Sequence, residues 1–223
     1  MLSIDQQQCF AAVKQGKNLF ITARAGAGKS YLINYIIETL KKPTILCAST
    51  GISATIIGGR TLHSQFLISN DQDAVESALQ VQSSEKRYVK IRKAKLLIID
   101  EISMVSDKLL NCVDEICRIV REQPNKAFGG LQVIFCGDFL QLPPVFNGVN
   151  RNSTYCIFSK AWKDANIQTF LLTTNHRQDG DSAFYDILTR IRYNCVNQKV
   201  VDLLKEREIE PNEKVIRLYS TNN

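Results

Sequence analysis

Two clusters of residues in this sequence have the types and spacing to handle phosphate. The first is Ala23-Arg24-Ala25-Gly26-Ala27-Gly28-Lys29-Ser30, which follows an apolar run and opens a helical pattern. Gly26 and Gly28 let backbone N–H groups close on phosphate oxygens, where a side chain would block the approach. A helix beginning near Lys29 adds the positive end of its dipole. In such a loop Ala25, Gly26, Ala27 and Gly28 form the cradle, Lys29 reaches the β- and γ-phosphates, and the Ser30 hydroxyl ligates Mg²⁺. Ala23 stands where a loop of this kind usually begins with glycine; alanine serves there if its φ is negative, so binding is expected to survive. The second cluster is Lys95-Leu96-Leu97-Ile98-Ile99-Asp100-Glu101, an apolar run that ends in two carboxylates. Asp100 is expected to hold Mg²⁺ through its water shell, and Glu101 to orient or deprotonate an attacking water. The chemistry implied is Mg²⁺-dependent hydrolysis of a nucleoside triphosphate.

Residues so placed need a scaffold that brings distant loops to one edge. Five short runs are apolar on both faces: 18–22, 44–47, 96–99, 132–136 and 168–172. Helical patterns lie between them. Leu32, Ile33, Ile36, Ile37 and Leu40 recur on one stripe over 30–40; Leu109, Cys112, Val113, Ile116 and Val120 do so over 106–121; Phe184, Ile187, Leu188 and Ile191 do so over 183–192. All three stripes read as core packing. Buried strands alternating with helices predict an α/β domain with a mainly parallel sheet flanked by helices. The stretch 69–93 is polar, lacks glycine and proline, and interrupts the strand pattern, so a small helical insertion is expected at about 67–93. Residues 147–154 read as a loop.

The chain has 223 residues, 44% hydrophobic and 22% charged, with a formal net charge of +6. That charge permits a polyanionic partner without demanding one. Part of it lies in the run Lys86 to Lys95, which reads either as a solvated helix face or as a nucleic-acid contact. No apolar run reaches the length of a membrane span, and the first residues lack the pattern of a secretory signal. Seven cysteines without a CxxC pair, and only two histidines, argue against a zinc site and for reduced thiols in an intracellular protein.

The segment that narrows the class is Gly137-Asp138-Phe139-Leu140-Gln141-Leu142-Pro143-Pro144-Val145, which ends an apolar strand. It resembles motif III of superfamily 1B helicases. Leu2 to Gln6 resembles the Q motif. Ala48 to Ala54 with Ile57 to Ser64 resembles motif Ia. Asp100 to Met104 resembles motif II. Asp107 to Arg121 followed by Phe128-Gly129-Gly130 resembles the signature peculiar to the PIF (petite integration frequency) family. Asn175-His176-Arg177-Gln178 resembles motif IV, and Arg217 to Asn222 the segment leading to a second motor domain. The chain is therefore identified as resembling PIF helicases over essentially its whole length. A RecD-like helicase of the same superfamily, an AAA-type ATPase and a nucleotide- and DNA-binding fragment without appreciable turnover are the competing readings.

The resemblance implies roles. Gln6 would recognise adenine, Gln141 would sense the γ-phosphate, and Arg177 would act as an arginine finger. Thr50, Gly51, His63 and Ser64 would touch single-stranded DNA; for His63 the competing reading is a capping residue packed over the core. The implied fold is a RecA-like P-loop NTPase, motor domain 1A over 1–223, with the second motor domain absent. The implied activity is ATP-dependent 5′-to-3′ translocation and unwinding, acting on single-stranded DNA and duplex junctions, by a monomer without membrane contact. The implied location is the nucleus or mitochondrion for a eukaryotic source, or the host cell for a viral one.

Overall fold

Successive side chains of a strand point to opposite faces, and here both sets are apolar. In the computed structural model, which describes residues 2–24, 26–69, 74–144, 154–174 and 182–208, that pattern produces three layers. Six strands pair in parallel: β1 (Leu19–Ala23), β2 (Thr44–Ala48), β3 (Arg60–Thr61), β4 (Leu96–Asp100), β5 (Gln132–Gly137) and β6 (Gln168–Leu172). Their order is β3-β2-β4-β5-β1-β6. Leu19, Ile21, Leu96, Ile98, Ile134 and Cys136 face one layer, which holds α1 (Ile4–Lys14) and α2 (Lys29–Leu40). Phe20, Ile45, Leu97, Ile99, Val133 and Phe135 face the other.

That second layer is built by α4 (Leu62–Phe66), α5 (Ala74–Ser83), α6 (Glu85–Lys93), α7 (Asp107–Val120) and α8 (Lys160–Asp164), while α3 (Gly51–Ile56) packs Ala54 against Ala48. The polar stretch is thus the α5–α6 pair, whose Ala74, Ala78, Val81 and Ile91 enter the same core as α7. Residues 178–223 form a separate compact unit, in which α9 (Ser182–Arg192) and α10 (Gln198–Lys205) are described.

The expected strands are present, and the sheet gains a sixth. β3 has two residues, too few for an apolar pattern to reveal it. The expectation that every strand is covered on both faces fails at β6, where only Leu172 is buried, because this strand pairs on one side alone. In α7 full burial falls on Leu110, Val113, Ile116, Cys117 and Val120, with Leu109 and Cys112 at the edge of the stripe. In α9 Ile187 is buried but Leu188 and Ile191 are exposed, so that stripe is not wholly core. The 147–153 part of the expected loop lies outside the described residues.

The signature residues act as a clamp on the chain entering β5. Phe128 has φ 49° and Gly129 φ 58°, both left-handed. For phenylalanine that conformation costs about 1–2 kcal/mol. Burying its ring contributes about 1.5–3 kcal/mol, and its N–H bonds the Asp114 carboxylate, so the balance favours the strained turn. Asp114 also pairs with Arg118 at 2.8 Å, and Arg121 Nε donates to the Gly129 carbonyl at 2.7 Å. A Cβ on Gly129 would stand 2.4 Å from the Cys117 carbonyl oxygen. Gly129→Ala is therefore expected to destabilise the fold by about 2 kcal/mol or more in urea unfolding, whereas Gly16→Ala, with open space around it, carries only the φ penalty.

Asp5 ties the start of α1 to the end of β6. Its Oδ2 accepts the N–H groups of Thr173 at 2.7 Å and Thr174 at 3.1 Å. Burial pushes its carboxyl up, but the Ser3 hydroxyl and the N–H groups of Thr174, Thr173 and Gln6 outweigh this and hold the pKa well below the usual range. A depressed folded pKa stabilises above the unfolded value of about 3.9 and loses that contribution as pH falls through the folded value. Asp5→Asn is expected to lower the urea midpoint at pH 7, with the gap from the parent chain shrinking as pH falls below about 4.

Candidate nucleotide and nucleic-acid site

In a parallel sheet every strand ends at the same edge. β4, β5 and β1 are neighbours, so their carboxyl ends bring together Asp100-Glu101, Gly137-Asp138 and the glycine loop.

After β1 the loop turns through Gly26 (φ 86°) and Gly28 (φ 77°), both left-handed, and Gly28 caps α2. Ala23, at the position usually held by glycine, is the last residue of β1, paired with Leu172, and lacks a positive φ. Among the described residues the N–H groups of Gly26, Gly28, Lys29 and Ser30 have no hydrogen-bond acceptor. Four free donors at a helix N-terminus make an anion site. Lys29 Nζ donates to the Ala23 carbonyl at 3.0 Å, which leaves two of its N–H groups available. Ala25 lies outside the described residues.

At the end of β4, Asp100 is 7% exposed and its Oδ1 accepts the Glu101 N–H at 2.9 Å. Burial pushes the Asp100 carboxyl up, against the Glu101 N–H and the Lys29 charge. Glu101 is raised first by burial and then by Asp100, with Asp138 adding and Lys29 opposing. Three carboxylates and one ammonium therefore share a small region. Glu101 has φ 51° and ψ 44°, left-handed for a residue with a Cβ. The 3-10 turn Ile102–Met104 packs onto Gly137, where a Cβ would lie 3.0 Å from Ile102 N, so glycine eases the close approach of β5.

Asp138, quoted in the motif III segment without a role of its own, joins the candidate site residues. It is 1% exposed; its Oδ2 accepts Gln141 Nε2 at 2.9 Å and its Oδ1 accepts the Leu140 N–H at 3.1 Å. The carboxylate thus aims an exposed Gln141. Phe139 anchors the same loop, its ring 5.2 Å from Phe20 and 6.2 Å from Trp162. The Asp-x-x-Gln spacing was the available signal, since an acid three residues before an amide can close a turn.

Gln6 is fully buried, not displayed. Its Oε1 accepts the Ser3 N–H at 3.1 Å and its Nε2 lies 3.5 Å from the Gly28 carbonyl, which places it against the glycine loop. Arg177 lies outside the described residues.

The motif Ia residues occupy the same edge, on β2 beside β4 and on β3 beyond it. Ala48 pairs with Asp100 on one side and Thr61 on the other, and the Ser49 N–H donates to the Asp100 carbonyl at 3.3 Å. Thr50 caps α3, its Oγ1 accepting the Ser53 N–H at 3.2 Å, and Gly51 next to it is exposed. Thr61, not His63, caps α4 by accepting the Ser64 N–H at 3.2 Å. His63 and Ser64 are exposed, and partial burial lowers the His63 pKa. From the basic run, Arg87 reaches the Ser64 carbonyl at 3.2 Å, while Lys86, Lys90 and Lys93 are exposed on α6. No helix among the described residues is long and apolar enough to cross a membrane.

A parallel sheet whose first strand runs into a glycine loop and helix, and whose β4 ends in paired acids, defines a RecA-like P-loop NTPase domain. Within that class the chain belongs to the PIF1-like helicase family, whose pattern matches residues 1–200. It is 37% identical over 234 residues to the ATP-dependent DNA helicase PIF1 of Saccharomyces cerevisiae, covering 99% of this chain and 26% of that protein. Its fold is similar to the crystal structure of Pif1 helicase from Candida albicans, with a TM-score of 0.87 and 36% identity, over 99% of this chain and 52% of that one. The Bacteroides Pif1 helicase, solved in complex with ADP-AlF3 and ssDNA, gives a TM-score of 0.85 and 34% identity over 96% of this chain and 52% of that one. The chain thus spans about a quarter of the yeast relative and about half of the two solved chains.

If Asp138 aims the motif III loop, Asp138→Ala releases the Leu140 N–H. That amide is expected to exchange with solvent about tenfold faster or more, while core amides such as that of Ile98 keep their rates.

Proposed function

We propose that this chain is an ATPase motor domain of a 5′-to-3′ DNA helicase, coupling ATP hydrolysis to translocation on single-stranded DNA and to opening of duplex junctions. One observation carries the reading: Lys29, Asp100, Glu101 and the Asp138–Gln141 pair converge at the carboxyl edge of β1, β4 and β5. The Bacteroides relative's complex with ADP-AlF3 and ssDNA supports both ligands.

The free N–H groups of the loop from Gly26 to Ser30 would cradle the β-phosphate, with Ala25 and Ala27 completing the turn. Lys29 would neutralise charge on the γ-phosphate. Water attacks the γ-phosphorus as the bond to the β-γ bridging oxygen breaks; Glu101 takes the proton and ADP leaves. Burial that raises the Glu101 pKa makes it a better base than a solvated carboxylate. Gln141, held by Asp138, would register the γ-phosphate, Gln6 would turn its amide to adenine, and Arg177 would stabilise the charge that develops on the phosphoryl oxygens.

Mg²⁺ fits the donors present. Ser30 Oγ is exposed and unbonded, and Asp100 Oδ2 has no hydrogen bond among the described residues, so two hard oxygens face the same loop. Bound there, the ion would screen the phosphate charge.

Thr50, Gly51, His63 and Ser64 would hold the DNA backbone. The Ser49 to Asp100 bond supplies a short mechanical link between that track and the nucleotide edge. The resemblance implies that the ATP site closes between this domain, 1A with an insertion at about 67–93, and a second motor domain. The 223-residue chain, expected to be a monomer, should then bind nucleotide but turn it over slowly.

The test is nucleotide binding and ATP turnover by the purified chain, with and without oligothymidylate, beside Lys29→Ala. Binding that disappears in Lys29→Ala, with slow turnover that DNA barely stimulates, is the expected result. Binding that the substitution leaves intact would remove the glycine loop from the mechanism. Fast DNA-stimulated turnover would place the whole catalytic site in this one chain.

A further inference from the structure

At the opposite edge of the sheet, where β4 and β5 begin, lies a polar cavity of about 260 Å³ lined by Arg92, Arg121, Gln123, Lys126, Gly129 and Gly130. Arg121 is held there as a rigid fork. Its Nε donates to the Gly129 carbonyl at 2.7 Å, and its Nη1 to the carbonyls of Ile91 at 2.7 Å, Ala94 at 3.0 Å and Arg92 at 3.1 Å. Those bonds absorb the exposed carbonyls at the end of α6. They leave Nη2 without a hydrogen bond, and among the described residues Arg121 has no carboxylate partner.

Lys126 likewise has no ion pair among the described residues, and Arg92 pairs at 2.9 Å with Glu122, which does not line the cavity. The described lining thus carries three cations and no carboxylate. Burial lowers the Arg121 pKa; Cys117 opposes this and the Arg92 charge adds to it. Phe128, Gly129 and Gly130 are successive left-handed residues, and the two glycines line the cavity. Strain of this kind persists where packing over-determines it, and it gathers at ligand clamps.

We propose that this cavity binds a phosphate group, with Arg121 Nη2 and Lys126 Nζ as donors and Arg92 at the rim. The planar guanidinium, fixed on two of its nitrogens, suits a tetrahedral oxyanion, and a pre-held fork loses little freedom on binding. The phosphate can come from a polynucleotide backbone or from free polyphosphate. The site is separate from the glycine loop, so its ligand and ATP do not compete.

The test uses inorganic pyrophosphate titrated calorimetrically into Lys29→Ala, in which the glycine loop is silenced, and into Lys29→Ala carrying Lys126→Glu. Binding that Lys126→Glu weakens about tenfold or more supports the site. Lys86→Glu, an exposed change on α6, should leave that binding unaltered. Arg121→Lys is a second variant if folded by circular dichroism; Lys126→Glu tests the site without touching the anchoring bonds. Oligothymidylate that displaces pyrophosphate assigns the site to a polynucleotide backbone; failure to displace it assigns the site to free polyphosphate, and both support a phosphate site. No binding to Lys29→Ala, equal losses from Lys126→Glu and Lys86→Glu, or displacement by polyglutamate as readily as by phosphate would overturn it.

Discussion

Parallel hydrogen bonding among β4, β5 and β1 is the constraint on which the rest depends. Loops that follow strands of opposite direction would fall at opposite edges. Here the glycine loop, the paired acids and Gly137-Asp138 follow three adjacent strands and meet without further chain. Parallel pairing needs crossover helices, which cover both faces, so the strands must be apolar throughout. β4 meets that demand over Leu96 to Ile99, all buried, before ending in Asp100. The same burial desolvates Asp100 and Glu101 and raises their pKa values. Fold and reactivity thus share one cause.

The edge is held by tight backbone approaches as much as by side chains. Gly137 lets β5 close on the turn after Glu101, and Glu101 itself adopts a left-handed conformation that only firm surroundings sustain. Asp138 then converts the end of β5 into an aimed glutamine. The Ser49 N–H on the Asp100 carbonyl extends the same lattice of backbone bonds to the motif Ia strand. Strands in register at Ala48 thus connect the acids to the half-buried Thr50, the exposed Gly51 and the exposed His63-Ser64 turn.

The signature between the acids and motif III is structural at its core. Asp114, Arg118 and Arg121 fix the left-handed Ala127–Gly130 turn on α7, and that turn delivers β5 in register beside β4. Arg121 meets this task with two of its nitrogens, which is why a third remains at the cavity by the opposite edge. One group of residues can thus set strand register and still leave donors for an anion.

The sequence by itself determined the α/β class, five of the six strands, the phosphate loop and the acid pair, because each is written in contiguous residues: short runs apolar on both faces, glycines before Lys29-Ser30, an apolar run before Asp100-Glu101. It also carried the family, through motifs read in order. What only the tertiary structure decided depends on residues far apart in the chain. β3 is a strand because Arg60-Thr61 meets Cys47-Ala48. β6 is exposed because it lies at the edge. Gln6 is buried against Gly28, and Asp5 is held by Thr173 and Thr174 across 168 and 169 positions. The cationic cavity joins Arg92 to Arg121 and Lys126, which no spacing rule links. Local pattern fixes which residues are apolar, cap or turn; it does not contain the distances that packing sets between segments, and those distances place the charges.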